Sequence, residues 1–117
     1  MRRGTTPTLE LEVDKDIIGW TRYITFRQGS TEFTLENDRQ TAVLEGESTV
    51  ISVVLTQEET LRFQPSAGSA MGAVKSPPAF LQIRCYASDL EAPASACWPI
   101  AVYDSLTSNV LAAPEVP

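Results

Sequence analysis

The sequence contains no histidine and only two cysteines among its 117 residues. Histidine is the usual general base near neutral pH and the commonest transition-metal ligand, so its absence removes the ordinary Ser-His and Cys-His nucleophile arrangements. The chain also lacks a Gly-rich phosphate loop, a Walker pattern and a functional GxSxG elbow. We therefore expect a protein without enzymatic activity that needs no cofactor and no metal.

Basic residues are also scarce, since Lys and Arg total 9 against 15 Asp and Glu, and the net charge is −6. This charge repels phosphate backbones, and no run of Lys or Arg interleaves with aromatic residues to offset it. No stretch approaches the roughly 18 to 20 continuous apolar residues of a membrane helix. No apolar stretch follows Met1-Arg2-Arg3, as it would in a secretory signal. We expect no nucleic-acid partner, no membrane span and synthesis in the cytoplasm.

Chemistry based on a pair of carboxylates is the remaining catalytic alternative. The acidic residues that could form such a pair, or offer oxygens to calcium, lie in predicted turns or in a helix cap, where solvated carboxylates are common. They do not have the dense acidic spacing of a calcium loop. Both a small hydrolase and a metal site are therefore disfavoured. The residues concerned are Asp14, Asp16, Glu36, Asp38, Glu58 and Glu59.

Alternation of apolar and polar residues predicts about seven short strands separated by turn residues. In the segment 19–27, Ile24 and Phe26 are expected to point inward. The strongest segment, 49–55, carries Ile51, Val53 and Leu55 on one face and is largely apolar on the other, which is typical of a central strand. The pattern favours an all-β, antiparallel two-sheet sandwich of the immunoglobulin-like kind.

Four segments depart from the strand pattern. Thr56-Gln57-Glu58-Glu59 is a capping-box sequence and predicts one short helical turn near 57–62. Residues 64–78 are small and punctuated by Gly and Pro, as in a mobile loop. We divide the chain into a flexible N-terminal arm (1–7), a β-sandwich domain (8–104) and a partly ordered C-terminal tail (105–117).

The second half of the chain supplies a candidate interface. Phe80, Gln82, Arg84 and Tyr86 are predicted to point outward from a strand whose other face is apolar. Aromatic side chains that bracket an arginine on one strand face suit a contact between subunits. Because Pro99 cannot donate to a ladder, the last strand is predicted to be at a sheet edge or bulged.

Cys85 and Cys97 stand nearly symmetrically about the turn at Glu91. They could face each other and form a disulfide in an oxidising compartment, or remain buried thiols that act as small hydrophobes. Nothing else in the chain suggests export, so thiols are favoured.

Several of these motifs resemble a family of short proteins encoded in bacteriophage and prophage structural gene clusters. The resemblance lies in the opening Met1–Thr8, in the block Leu55–Phe63 (Leu-Thr-Gln-Glu-Glu-Thr-Leu-Arg-Phe), and in Gln82-Ile83-Arg84 followed by Ala94-Ser95. In order and spacing the motifs cover most of the chain to about Leu111. Two features depart from the family, namely the longer stretch 66–76 and Cys97-Trp98-Pro99 in place of a plain strand.

The resemblance implies a virion- or tail-associated component without enzymatic activity, assembled in many copies in the host cytoplasm, whose partners are other virion proteins or copies of itself. It transfers no site residue. The alternative is a host-recognition or carbohydrate-binding module that uses Trp20, Trp98 or the loop 64–78. The candidate interface residues are Arg2, Arg3, Phe80, Gln82, Arg84, Tyr86, Trp98, Leu106, Val110 and Leu111.

Overall fold

The computed structural model of the protein describes residues 1–66, 77–88, 90–94 and 97–103. These residues form strands, one short α-helix and one 3-10 turn. In chain order the elements are β1 (Thr8–Val13), β2 (Thr21–Gln28), β3 (Thr31–Leu35), the 3-10 turn (Asn37–Arg39), β4 (Gln40–Glu45), β5 (Ser48–Val54), α1 (Gln57–Leu61), β6 (Ala79–Tyr86) and β7 (Trp98–Ile100).

The strands form two antiparallel sheets. The three-stranded sheet has the order β1-β5-β4, and the four-stranded sheet has the order β3-β2-β6-β7. The prediction of an all-β, antiparallel two-sheet fold is confirmed, as is the central position of β5 in its sheet. The immunoglobulin-like subtype stays a prediction.

Two hairpins have loops of only two residues. Gln28 pairs with Thr31 across Gly29-Ser30, and the β4–β5 hairpin turns at Gly46-Glu47. Both glycines have positive φ, +57° at Gly29 and +64° at Gly46. Two-residue hairpin loops need this conformation, and glycine adopts it without the steric penalty of a Cβ. The turn residues therefore set the register of both hairpins.

The core lies between the two sheets and is built from alternate residues of the strands. Ile24 and Phe26 of β2 are fully buried, as predicted, and so are Ile51 and Val53 of β5. Burial of one such side chain stabilises the fold by about 1.5–3 kcal/mol, so these residues dominate the favourable free energy. The rings of Phe26, Phe33 and Phe63 pack together with centroids 5.0–6.1 Å apart.

Helix α1 begins with the predicted capping box. The Glu59 amide donates to the Thr56 hydroxyl at 3.1 Å, and the Thr56 amide donates to the Glu59 carboxylate at 2.9 Å. Arg39 binds both oxygens of the same carboxylate, at 2.7 and 2.9 Å, and also donates to the Val54 carbonyl. The buried Glu59 therefore ties the helix to the 3-10 turn and to the end of β5.

Arg22 on β2 is buried between the sheets. Its Nε donates to Gln40 Oε1 on β4 at 2.8 Å, and Gln40 Nε2 donates back to the Arg22 carbonyl at 3.0 Å. Its Nη1 donates to the carbonyls of Ile17 and Ile18 in the β1–β2 connection. Asn37 completes the network, because it accepts from the Arg22 amide and donates to the Trp20 carbonyl. The Arg22 side chain thus links both sheets and the connection between β1 and β2.

Gln28 at the end of β2 is also buried. Its Nε2 donates to the carbonyls of Gln64 and Pro77 at 2.9 and 2.8 Å, and its Oε1 accepts from the Gln64 amide at 2.6 Å. Gln64 and Pro77 flank the stretch 67–76, which lies outside the described residues. The Gln28 amide group therefore holds the two ends of this connection side by side.

Residues 1–7, predicted as a flexible arm, lie against the domain. The Met1 amino group donates to the Ala101 carbonyl at 2.8 Å, and Arg3 Nε donates to the Phe63 carbonyl at 2.6 Å. These hydrogen bonds hold the segment beside β7 and α1, because Ala101 and Phe63 lie just beyond the ends of those elements. The division of the chain at 8 and 104 stays a prediction, and both the predicted tail 105–117 and most of the predicted loop 64–78 lie outside the described residues.

β7 lies at the edge of the four-stranded sheet, as Pro99 predicts. Its register pairs Leu81 with Trp98 and Ala79 with Ile100. The expectation that both cysteines are buried is wrong for Cys97, which precedes β7 and is exposed, whereas Cys85 on β6 is buried. The exposure follows from the outermost position of β7 among the described strands of its sheet.

We predict that Glu59→Gln reduces stability in a pH-dependent way. Burial raises the pKa of the Glu59 carboxyl, but the hydrogen bonds from Arg39 and Thr56 lower it by more, so the pKa lies below its ordinary value. The stabilisation is therefore fully present above the unfolded pKa of about 4.3 and is lost as the pH falls through the lower folded pKa. At pH 7 the substitution should lower the free energy of unfolding by about 1–2 kcal/mol. A larger loss is not expected, because Arg39 is partly exposed and solvent screens its interaction with Glu59.

The measurement is urea unfolding between pH 7 and pH 3. Glu58→Gln is the matched control, because Glu58 is an exposed neighbour in the same turn. The free energy of unfolding of Glu58→Gln should vary with pH as that of the wild type does. That of Glu59→Gln should fall less steeply at acid pH. Identical slopes for wild type and Glu59→Gln would contradict the assignment.

We predict that Gln28→Ala lowers the free energy of unfolding by about 2 kcal/mol, because it removes three hydrogen bonds to partly buried backbone groups of Gln64 and Pro77. Thermal and denaturant unfolding measure the change. Gln64→Ala is the control, since it removes an exposed side chain and keeps the backbone groups that Gln28 binds. Equal stability of the two variants would refute the role of Gln28.

Candidate functional site

The outward side chains of β6 form the centre of the candidate site. β6 alternates between buried residues and the exposed Phe80, Arg84 and Tyr86, with Gln82 half-buried among them. Phe80 retains 39% and Tyr86 44% of its accessible surface. The predicted outward orientation of these four side chains is confirmed, and their role in an interface stays a prediction.

The neighbouring strands extend this surface. β2 pairs with β6 in a register that places Tyr23 beside Arg84, Thr25 beside Gln82 and Arg27 beside Phe80. On the other side of β2, β3 pairs Thr34 with Thr25 and Glu32 with Arg27. We call this surface the outer face; its residues are Tyr23, Thr25, Arg27, Glu32, Thr34, Phe80, Gln82, Arg84 and Tyr86.

Two adjoining depressions lie on the outer face. The first has a volume of about 380 Å³ and is lined mainly by Tyr23, Arg84 and Tyr86. The second has a volume of about 350 Å³ and is lined by Arg27, Glu32, Phe80, Gln82, Leu81 and Cys97. Thr25 borders both, so the depressions are neighbours on one surface.

The outer face differs in charge from the chain as a whole. It carries two arginines, Arg27 and Arg84, and one glutamate, Glu32, in a protein whose net charge is −6. Each arginine stands beside an aromatic ring in the β2–β6 register, Arg27 beside Phe80 and Arg84 beside Tyr23. Both residue types are enriched at the centres of protein interfaces, aromatic residues because they bury large areas and arginine because it also binds carboxylates bidentately.

The described residues offer little for other chemistry. No group of three or more His, Cys, Asp or Glu side chains in this part of the chain is placed to hold a metal ion. Glu32 is the one carboxylate of the outer face, so a catalytic carboxylate pair does not occur there. None of the described helices has the length and apolarity needed to cross a bilayer.

The other predicted site residues lie away from the outer face. Arg2 pairs with Tyr103, and its guanidinium carbon lies 5.8 Å from the centre of that ring. Arg3 is half-buried and donates to main-chain carbonyls next to α1. The predicted tail residues are outside the described ranges. These residues are Leu106, Val110 and Leu111.

The two tryptophans are separated along the four-stranded sheet. Trp98 pairs with Leu81 near the start of β6, whereas Trp20 precedes Thr21, the partner of Tyr86 at the end of β6. The Lys15 amino group also lies 4.6 Å from the centre of the Trp20 ring. The tryptophans therefore form no common platform for a sugar.

Tyr23 and Arg27 are outer-face residues that the sequence interpretation did not single out. The sequence does contain the information: since Ile24 and Phe26 are predicted to point inward, the residues that alternate with them must point outward. Only the pairing of β2 with β6 shows that they join the predicted β6 row.

The two thiols are predicted to differ sharply in reactivity. Burial raises the pKa of the Cys85 thiol, and nearby Arg22 partly offsets this effect. Burial also shields the Cys85 sulfur from reagents. Cys97 is exposed at the second depression. An aromatic disulfide reagent should therefore label one thiol in the folded protein and two in denaturant. Labelling should be lost in folded Cys97→Ser and retained in Cys85→Ser, whereas unreactive wild-type protein would indicate a disulfide.

Comparisons of the sequence with protein-family models and with curated proteins find no match.

Proposed function

We propose that this chain is a non-enzymatic structural or assembly protein of a bacteriophage particle, part of the virion, tail or baseplate, and that its outer face is a protein-binding surface. The phage setting is supported by the resemblance of the opening, Leu55–Phe63 and Gln82–Arg84 segments noted above. The observation that carries the binding role is the outer face itself, where aromatic and arginine side chains share one exposed sheet surface. On this proposal the protein assembles in the host cytoplasm with other virion proteins or with copies of itself.

A protein contact fits this surface better than catalysis does. The side chains project from hydrogen-bonded strands, so little conformational entropy is lost when a partner covers them. Phe80 and Tyr86 supply apolar area, and Arg27 and Arg84 supply charged donors for a partner's carboxylates. A reaction would need an activated nucleophile or a base. The outer face offers one carboxylate and borders the exposed Cys97 thiol, and the chain has no histidine to activate that thiol.

A carbohydrate-binding module is the second candidate. The first depression favours it, because Tyr23 and Tyr86 line it together with Arg84, and aromatic faces with a polar donor are suited to sugar rings. Its volume of about 380 Å³ falls within the usual range for small-molecule sites. This version rests on Tyr23 and Tyr86 and not on Trp20, Trp98 or the loop 64–78.

The test is complementation of the phage or prophage that encodes the chain, after deletion of its gene. We predict that mass spectrometry finds the wild-type protein in purified particles, and that Arg84→Glu lowers the yield of complete particles at least tenfold, since loss of a central interface residue costs about 2 kcal/mol or more. Arg62→Glu is the control; it makes the same charge change at an exposed residue outside the outer face.

Normal particle yield with Arg84→Glu, or particles that lack the protein altogether, would contradict the proposal. Binding to a glycan array that is lost in Tyr86→Ala and kept in Arg62→Glu would instead support the carbohydrate-binding candidate.

A further inference from the structure

The outward surface of the three-stranded sheet has a composition opposite to that of the outer face. Val43 on β4 and Val50 on β5 are cross-strand partners, and Val54 lies further along β5. Val43 and Val54 retain 53% and 51% of their accessible surface, so both are large apolar side chains open to solvent. We call this surface the valine face; its remaining outward residues are Thr8, Glu10, Glu12, Thr41, Glu45, Ser48 and Ser52.

The charges of the valine face are all negative. Glu10 and Glu12 on β1 and Glu45 on β4 flank the central valines, and none of the outward strand positions of this sheet holds Lys or Arg. An apolar centre with an acidic rim is the complement of the outer face, where aromatic rings alternate with Arg27 and Arg84. The chain thus carries two unlike surfaces of opposite charge on its two sheets.

We propose that the partner of the outer face is the valine face of a second copy of this chain; this inference rests on the protein-binding function proposed above. Phe80 and Tyr86 of one copy would cover the exposed valines of the next, and its arginines would meet the glutamates on either side. Burial of the apolar centre supplies affinity, and the charge-assisted hydrogen bonds at its rim select the unlike face over the like one.

This contact would repeat from copy to copy. The inner sides of the two sheets enclose the core, so their outward sides point in opposite directions, and a copy that uses one face keeps the other free. A contact between unlike surfaces is heterologous and leads to a closed ring or an open stack, according to the rotation between successive copies. Either product suits a component that is present in many copies.

Charge reversal on each face gives a direct test by sedimentation velocity over a concentration series at low and high salt. Wild-type protein should self-associate, and more weakly at high salt because the arginine–glutamate contacts are screened. The variant Arg27→Glu/Arg84→Glu has two acidic faces, and Glu10→Arg/Glu12→Arg has two basic faces. Each should be monomeric at concentrations about a hundredfold above those at which the wild type assembles, since each reversal removes a central or rim pairing.

Mixing the two variants is the decisive measurement. In a mixture, each acidic face meets a basic face on the other variant, so assembly should return. Assembly should also return in a single chain that carries all four substitutions, because its two faces again have opposite charges. Glu58→Arg and Arg62→Glu are controls, because both residues are exposed outside the two faces. Thermal unfolding of every variant separates loss of association from loss of folding.

The other outcomes distinguish this inference from the proposed function. If Arg27→Glu/Arg84→Glu abolishes association while Glu10→Arg/Glu12→Arg does not, the outer face is an interface but the valine face is not its partner. If the wild-type chain stays monomeric at millimolar concentration, or if mixing restores nothing, the self-contact is refuted while the particle-yield test of the outer face still stands.

Discussion

The arrangement of the two sheets depends on the burial of Arg22. A guanidinium taken out of water is costly unless its donors are satisfied, and in the described part of the chain its hydrogen-bond acceptors are the neutral oxygens of Gln40, Ile17 and Ile18. Burial lowers the pKa of Arg22, but an arginine stays charged in proteins, so the cation must keep these partners. Since Gln40 belongs to the other sheet, the need to solvate one charge fixes how the sheets lie against each other.

That constraint also determines the surface of the molecule. β2 must turn Arg22 inward together with Ile24, Phe26 and Gln28, and a strand that buries these residues has to present Tyr23, Thr25 and Arg27 on its other side. The same alternation that builds the core therefore places Tyr23 and Arg27 on the outer face. A one-residue slip of β2 would bury Arg27 and expose Phe26, which would destroy the core and the candidate interface together.

The sequence predicts those parts of the fold in which local pattern and burial agree. The alternation around Ile24, the apolar face of β5, the Thr56–Glu59 capping box and the edge position implied by Pro99 all follow from short-range rules. The failures occur where a polar group is buried or where distant segments meet. Alternation alone puts Arg22 and Gln28 inside, but their burial depends on oxygens from Gln40 and Gln64, which no local pattern identifies. The exposure of Cys97 and the sharing of one surface by β2 and β6 have the same long-range origin.

Because of the Gln28 side chain, the connection between Gln64 and Pro77 can change in length without changing the geometry of the sheets. Because this side chain binds both Gln64 and Pro77, the positions from which the intervening stretch departs and to which it returns are set by β2, whatever lies between them. Closing a longer loop between fixed ends costs little, about 0.6 kcal/mol for each doubling of its length. This connection is therefore the natural place in the chain for insertions, both in the divergence of related sequences and in the grafting of a foreign peptide for display.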